Sequence, residues 1–343
     1  MVLSERAAYA YKWFKQRDQE LTEIASQNDG KLALHELWRL AYYKQPYLLL
    51  QSDEVILERF RDVFMNGLDL NHKGQIMPTP MLANENRLGR LFTEIIEETN
   101  WRCILTKDSM SEGLEQLNTY FSNGTPAGVK MFEGRTDVKG DWLVKFSKKQ
   151  FIEDAFNHGR LRISPASEYA KGSHLRAVKD LETARTYKLR AFAEAMRGET
   201  SVKFQEHTLP IKRGVVDLEV VMDDYFLFST CMEISRRMPT DFEADAALII
   251  KDKQAFIARL RKALLRQYSH WEFLEGDVYY YDPFNDIPKD RNQELWKHIS
   301  YSYQQEHRCV LRRKHQENIK LDPFFVELGP LDDIAEIVFA SQV

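Results

Sequence analysis

The chain has 343 residues, a formal net charge of -4, and a composition that is 43% hydrophobic and 29% charged. This length predicts two or three domains that bury enough surface to need no covalent cross-links. The composition excludes wholesale disorder. The slightly acidic balance excludes a globally basic nucleic-acid-binding protein, although a local basic patch is compatible with it.

The printed sequence lacks targeting and membrane signals. Its first residues, MVLSERAAYAYKWF, have no apolar core after a basic start, so they do not read as a secretory signal. No apolar run approaches the roughly 20 residues that a bilayer-spanning helix needs. Cys103, Cys231 and Cys309 form no CxxC motif, which favours reduced thiols. We therefore expect a cytoplasmic protein without a membrane partner.

Residues 1–140 are predicted to form a helical N-terminal domain. Ser4 is a plausible cap of the first helix, and Gly67 is placed to end a later one. Apolar residues recur at helical spacing in three stripes. These stripes are Leu34, Leu37, Trp38 and Ala41, then Ile56, Phe60, Val63 and Phe64, then Leu88, Leu91, Phe92 and Ile95. The glycine-rich stretch NGTPAGVKMFEGRTDVKG then predicts turns or a linker, and we place the domain boundary at its end.

Residues 141–343 are predicted to form a second domain that is rich in strands. The expected strands are WLVKF, RLRIS, VVDLEVVM, YFLFST, AALII, DVYYYD, YQQEHRCVL and PFFVELG. Helices are expected in SKKQFIEDAFNHG, ending at Gly159, and in KDKQAFIARLRKALLRQY, capped by Asp252. Many strands with few intervening helices indicate an α+β fold rather than a doubly wound one.

Several common site motifs are missing from the sequence. It has no GxxxxGK[ST], no GxGxxG and no GxSxG, which removes the usual signs of a P-loop, a Rossmann fold and an α/β-hydrolase. It has no HExxH and no close cluster of His and Cys, so no metal site is predicted. Asp180 and Glu182 could nevertheless serve a metal-dependent nuclease. Acidic pairs are also frequent at helix N-termini, and this alternative stays open.

The segment YSYQQEHRCVL places Gln304, Glu306 and Arg308 at every second position. On a strand these side chains would share one face. This Gln-x-Glu pattern resembles a recurring feature of mono-ADP-ribosyltransferases, in which a fixed carboxylate can hold a ribose hydroxyl and stabilise the positive charge that develops when the bond to nicotinamide breaks. A neighbouring amide can orient the incoming acceptor. The alternative is the polar sheet face of a non-catalytic interaction protein, where a surface Glu306–Arg308 pair contributes at most ~1 kcal/mol.

The second half of the chain resembles mono-ADP-ribosyltransferases in three segments that occur in the family's order. LVKF bears a lysine, Lys145, where the family commonly has Arg or His. FLFSTC bears Ser229 and Thr230, but Cys231 replaces the last residue of the usual Ser-Thr-Ser. The Gln-x-Glu strand follows late in the chain. The resemblance implies an ADP-ribosyltransferase-like split β-sheet domain that uses NAD as its substrate.

The resemblance also implies roles for individual side chains. Glu306 would be the catalytic carboxylate and Gln304 would orient the acceptor, while Lys145, Ser229 and Thr230 would shape the NAD site. Two further candidates for binding NAD lie in RLRISPASEY. Arg162 would contact the phosphates. Tyr169 would stack on nicotinamide, with core packing as the alternative.

The same half resembles a group of bacterial proteins encoded in toxin–antitoxin and phage-defence loci. The similar stretches are FIEDAFNHGRLRISPASEY, KDLE, YFLFSTC, YQQEHR and GPLDDIAEIV. This resemblance implies an intracellular toxin that disables host or phage macromolecules in antiviral defence and is restrained by an antitoxin. The helical N-terminal region would then dock the antitoxin, a chaperone or the target.

The acceptor is predicted from the basic residues near the Gln-x-Glu segment. WKHISYSYQQEHRCVLRRKHQ interleaves basic and aromatic residues, and Arg312, Arg313 and Lys314 follow the predicted strand directly. A basic, aromatic rim beside the site would suit RNA or DNA, so nucleic acid is slightly favoured over protein. The NAD diphosphate would suit the same charges, and a solvated turn is the remaining alternative.

Overall fold

The computed structural model describes residues 4–79, 86–122, 124–135, 142–170, 181–204, 206–288, 292–314 and 320–340. Within these ranges the chain combines helices, which dominate before residue 140, with mostly antiparallel strands, which dominate after it. The α-helices are α1 Glu5–Gln27, α2 Leu34–Lys44, α3 Asp53–Asn66, α4 Asn86–Arg102, α5 Lys107–Thr119, α6 Ala127–Met131, α7 Lys149–His158, α8 Phe192–Met196, α9 Met238–Asp241 and α10 Lys253–Gln267. Among the described residues, no helix is both long and apolar enough to span a bilayer.

The strands form one large sheet and several two-stranded ribbons. They are β1 Leu68–Leu70, β2 Ile76–Pro78, β3 Leu143–Ser147, β4 Arg160–Pro165, β5 Ala184–Arg190, β6 Ser201–Phe204, β7 His207–Pro210, β8 Val215–Val221, β9 Phe226–Cys231, β10 Ala246–Ile250, β11 Glu272–Asp277, β12 Tyr279–Tyr281, β13 Trp296–His298, β14 Glu306–Arg312, β15 Phe324–Glu327 and β16 Ala335–Phe339. Short 3₁₀ helices cover Ala166–Glu168, Gln293–Leu295 and Ile299–Gln304. The ribbons pair β1 with β2, β5 with β8, β6 with β7 and β12 with β13.

The large sheet splits along one edge of β9. Its main path runs β11-β14-β9-β3-β10-β16, while β4 also pairs with β9 and carries β15 on its far side. The start of β9 meets β4 through Leu227 and Ser164, and its end meets β3 through Cys231 and Val144. The two neighbours of β9 therefore diverge between these contacts, and the gap that they leave is where the sheet becomes concave.

The predicted helix ends agree well with the structure, but one predicted apolar face does not. The Ser4 hydroxyl accepts a hydrogen bond from the Ala7 amide at 3.2 Å, so it caps α1. Gly67 follows α3 directly. On α2, however, Leu34 and Leu37 are exposed, and the buried residues of this helix are Tyr42 and Tyr43. The aromatic residues take the core-facing side because their hydroxyls donate to carboxylates of α4.

The N-terminal helices share their core with later parts of the chain. Phe192, Val215, Phe284 and Ile299 pack into the same apolar cluster as residues of α1 to α4. A buried, bidentate ion pair joins Arg59 of α3 to Asp282, with both N–O distances at 2.6 Å. Residues 136–141, which span the predicted domain boundary, lie outside the described residues.

Candidate active site

A cavity of about 330 Å³ opens into the split of the large sheet. Its walls come from β3, β4, β9 and β14, together with the turn after β4 and the 3₁₀ helix before β14. Every side chain that the ADP-ribosyltransferase resemblance assigns to catalysis or NAD binding lines it. These residues are Lys145, Arg162, Tyr169, Ser229, Thr230, Gln304 and Glu306. A volume of this size lies in the range of small-molecule sites.

The strand register explains why residues so far apart in sequence meet. In the β9–β14 pair, Cys231 lies opposite Glu306 and Ser229 lies opposite Arg308. On the other side of β9, Val144 of β3 lies opposite Cys231. Because adjacent strands are about 4.8 Å apart, the side chains of three neighbouring strands converge on one patch. The end of β9, where apolar FLF gives way to Ser and Thr, is the centre of that patch.

The structure corrects the prediction that Gln304 lies on the same strand as Glu306. Gln304 is the last residue of a 3₁₀ helix, Gln305 has a left-handed backbone with φ of 43°, and β14 begins only at Glu306. The segment turns because Asn66 of α3 binds it. The Asn66 side-chain oxygen accepts from the Ser302 hydroxyl at 2.9 Å and from the Tyr303 amide at 2.8 Å.

Glu306 is a buried carboxylate held between two cations. Arg308 Nε donates to Glu306 Oε2 at 2.8 Å, and the Lys297 ammonium contacts Glu306 Oε1. Burial alone would raise the pKa of Glu306, but the charges of Lys297 and Arg308 outweigh it and lower the pKa to about 2. Glu306 is therefore ionised at neutral pH. A carboxylate has about four acceptor positions, so it can still accept bonds from a ligand.

Glu182 belongs to the same ionic cluster. It makes a bidentate pair with Arg308 at 2.6 and 2.8 Å, and Arg185 donates to it at 3.1 Å. Burial works against ionisation of Glu182, but the charges of Arg308, Lys297 and Arg185 lower its pKa overall. A carboxylate surrounded by arginines is poorly suited to hold a metal ion. Asp180, its partner in the nuclease hypothesis, lies outside the described residues.

No group of metal-ligating side chains occurs within the described residues. Instead, the negative charges of Glu306 and Glu182 are balanced by Lys297 and Arg308, as buried charges must be. The hypothesis of a metal-dependent nuclease therefore gains no support from the arrangement around Glu182.

Lys145 points at the backbone of β9 across the split. Its Nζ donates to the Ser229 carbonyl oxygen at 2.7 Å and lies 4.8 Å from the centre of the Phe228 ring. Burial lowers the pKa of Lys145, with a smaller opposing effect from Cys231 and Glu306. Lys145 thus supports the floor of the cavity. Thr230 is also engaged in the protein, since its hydroxyl donates to the His307 carbonyl oxygen at 3.2 Å.

Cations and an aromatic ring line the outer part of the cavity. Arg162 pairs with Glu168 at 2.8 Å and its side chain is 53% exposed, so it remains accessible to a ligand. Lys148, which the sequence did not single out, is exposed and lines the same cavity. Burial, with the nearby charges of Glu182 and Glu306, raises the pKa of Tyr169 to about 12, so its hydroxyl keeps its proton.

The structure also corrects the prediction of a basic rim beside the site. Arg308 and Lys297 belong to the buried cluster rather than to a surface. Arg312 lies six residues from Glu306 along β14, which is about 20 Å in a strand. Arg312 pairs with Glu272 and Glu294 there. Arg312 therefore does not line the cavity, and it gives no support to the prediction of a nucleic-acid acceptor.

Lys297 is the main site residue that sequence reasoning placed wrongly. Lys297 is one of the basic residues of the predicted rim, yet its side chain is only 5% exposed and it contacts both Gln304 and Glu306. It lies on the short strand β13, which pairs in parallel with β12. Nothing in the spacing between Lys297 and Glu306 indicates this contact, because it depends on how β13 packs under β14.

Comparison with known proteins found no matching family model, no matching curated protein and no matching solved structure.

Proposed function

We propose that the chain is an NAD-dependent ADP-ribosyltransferase whose reaction centre is the cavity in the split of the sheet. The observation that carries this proposal is the convergence of seven residues, chosen from four separate sequence segments, on one cavity around an ionised, buried Glu306. The split, where β3 and β4 pair with opposite ends of β9 and diverge from each other, supports the proposal, because the resemblance implies a split β-sheet domain.

The chemistry follows from the charge of Glu306. The bond between nicotinamide and ribose breaks with its electron pair leaving on nicotinamide, and positive charge develops on the ribose carbon and ring oxygen. Glu306 accepts a hydrogen bond from the ribose 2′-OH and stabilises that charge. An acceptor nucleophile then bonds to the ribose carbon and loses a proton. Gln304, beside Glu306, orients this acceptor.

The remaining residues bind the donor. Arg162 and Lys148 at the outer wall pair with the NAD diphosphate, and an Arg fork suits phosphate oxygens well. Tyr169 lies against the nicotinamide end. Lys145, Ser229 and Thr230 shape the floor. In this proposal Lys145 acts through the β9 backbone, since its ammonium is already bound to the Ser229 carbonyl.

We further propose that the protein acts as an intracellular toxin in antiviral defence, under the control of an antitoxin or chaperone. The support is the sequence resemblance to proteins of toxin–antitoxin and phage-defence loci. The acceptor is a macromolecule, either nucleic acid or protein, and the experiment below distinguishes the two. A regulator on the N-terminal helices would meet their exposed side, which includes Tyr9, Leu34 and Leu37.

The decisive experiment is incubation of the protein with labelled NAD and a cell lysate. We expect label to enter either the protein or the nucleic-acid fraction, and we expect Glu306→Gln to abolish labelling and toxicity. The substitution removes a charge and almost no volume. Glu272→Gln, on the exposed edge strand β11, is the matched control and should remain active. Circular dichroism of each variant checks folding. A folded, fully active Glu306→Gln protein would sink the proposal.

A further inference from the structure

Lys297 contacts both side chains to which the proposed reaction assigns chemistry. Its Nζ donates to Gln304 Oε1 at 2.9 Å and also contacts Glu306 Oε1. The same ammonium lies 3.9 Å from Glu182 Oε1 and 4.5 Å from the centre of the Tyr301 ring. An ammonium has three donors, so it can serve Gln304 and Glu306 together.

The position of Gln304 beside Glu306 is not a consequence of strand geometry. The left-handed Gln305 separates the 3₁₀ helix from β14, so the alternation of a strand does not apply across this junction. The two side chains instead meet at the Lys297 ammonium. Lys297 itself is fixed because β13 pairs with β12, whose Tyr280 hydroxyl accepts a hydrogen bond from the Glu306 amide at 2.7 Å.

We propose that Lys297 is the positioning residue of the site, which sets Gln304 beside Glu306 and keeps the Glu306 carboxylate ionised while it is buried. This inference rests on the proposed function for its catalytic meaning. Its physical content, that Lys297 controls the charge state of Glu306, is independent of any activity.

The groups around Glu306 show why Lys297 is decisive. Titratable or charged groups face Glu306 from each strand packed against it. They are Lys297 on β13, Arg308 on β14, Glu182 before β5, Lys145 on β3, Tyr169 after β4, Cys231 on β9 and Tyr280 on β12. Arg308 is shared, because its two terminal nitrogens bind Glu182. Without Lys297, the hydrogen-bonded cation left to Glu306 would be Arg308, which Glu306 shares with Glu182.

The direct test is a titration of the Glu306 carboxyl carbon by NMR in protein labelled with ¹³C at Glu carboxyls. Loss of one signal in Glu306→Gln assigns it. In the wild-type protein we expect Glu306 to titrate below the ordinary Glu value of about 4.3. In Lys297→Met we expect the midpoint to rise by about 1 to 3 pH units. Lys188→Met, which removes a lysine from an exposed pair with Asp217, should leave the Glu306 signal unchanged.

Two further variants separate charge from hydrogen bonding and protect the test against misfolding. Lys297→Gln keeps donors for both oxygens but has no charge, so it should raise the Glu306 midpoint as Lys297→Met does. Lys297→Arg keeps the charge and should restore a low midpoint. If Glu306 titrates at or above about 4.3 in the wild-type protein, or titrates unchanged in a folded Lys297→Met or Lys297→Gln protein, the inference is wrong.

The pH profile of NAD cleavage links the charge to activity. The reaction needs ionised Glu306, which protonates as the pH falls through its pKa. Raising that pKa in Lys297→Met moves the loss of activity to higher pH, and activity should recover as the pH rises. A merely structural role would lower activity by the same factor at every pH. A wild-type protein without NAD cleavage would count against the proposed function, while the titration would still decide the role of Lys297.

Discussion

Arg308 and Glu306 form a fully buried ion pair on one face of β14, with the Arg308 Nε donating to Glu306 Oε2 at 2.8 Å. The sequence correctly places the two side chains on the same side of a strand, and the non-catalytic alternative makes them a surface pair. In the structure Arg308 has no exposed area and Glu306 is 5% exposed. Burial changes the energetics, because each charge loses its water and depends on its partner.

Breaking this pair should be strongly destabilising. Arg308→Met leaves Glu306 and Glu182 buried with too little positive charge, so we expect the free energy of unfolding to fall by about 3 to 5 kcal/mol. Arg312→Met is the matched control on the same strand, since Arg312 lies in exposed and partly exposed pairs, and should cost about 1 kcal/mol or less. Urea denaturation measures both. Similar losses in the two variants would contradict the buried role of Arg308.

Asn66 connects the N-terminal helices to the site. It sits at the end of α3 and is fully buried. Its side chain binds Ser302, Tyr303 and the Ile299 carbonyl oxygen. Asn66→Ala leaves these groups unsatisfied, so we expect a loss of about 1 to 3 kcal/mol in unfolding free energy. It should also weaken NAD cleavage, because Gln304 follows this segment.

Two controls sharpen the Asn66 prediction. Asn71→Ala, in the exposed turn between β1 and β2, removes an asparagine whose side chain binds residues of its own hairpin and should leave NAD cleavage unchanged. Assays at a temperature well below the unfolding midpoint of each variant separate activity from stability. If Asn66→Ala cleaves NAD as fast as the wild-type protein there, the helical region is not part of the scaffold of the site.

His298 should make the protein sensitive to mild acid. Its Nδ1 accepts a hydrogen bond from the Ser300 amide at 3.2 Å and so caps the 3₁₀ helix that ends at Gln304. Burial lowers the pKa of His298 to about 4, with Asp282 acting against this effect and Arg59 adding to it. The neutral ring is therefore the native form.

The direction of the pH effect follows from this shift. In the unfolded chain His298 titrates near 6.5, so between about pH 6.5 and 4 the unfolded state binds more protons than the folded state. The stability that the neutral ring contributes is present above that window and is lost as the pH falls through it. We expect a loss on the order of 1 kcal/mol. His298→Asn keeps a capping acceptor without the titration, and thermal unfolding at pH 7 and pH 5 should show a smaller difference in that variant.

Gly159 should tolerate no side chain. It ends α7 with a left-handed backbone, at φ of 65°, as its place in the sequence predicts. A Cβ there would lie 2.1 Å from the Gly329 carbonyl oxygen, so Gly159→Ala must move backbone as well as accept strain. Gly30→Ala is the control, because Gly30 has φ of 78° with open space around it. We expect the control to cost about 1 kcal/mol and Gly159→Ala clearly more, by chemical denaturation. Equal costs would show that the contact with Gly329 is unimportant.

Local sequence patterns determined the parts of this fold that depend on neighbours in the chain. Ser4, Asp252 and Gly159 mark helix ends because capping and left-handed turns need particular residue types. The apolar runs of β9 and β10 identify buried strands, because this too depends on the residue types within a short segment. Local patterns do not determine which helix face is buried, because that depends on the surfaces available to the helix. Leu34, for example, belongs to a predicted apolar face but is exposed.

The sequence also selected, from residue chemistry and family resemblance, the side chains that line the cavity, including Glu306 and Lys145. Only the tertiary structure decided what those side chains do to one another. In the structure, Lys297 is buried in contact with Glu306, Gln304 belongs to a 3₁₀ helix rather than to the strand, and Arg312 lies away from the site. Each of these outcomes depends on contacts between residues distant in sequence, such as Asn66 with Tyr303. In a buried site such contacts largely set the charge of each group, because interactions between charges are stronger there than in water.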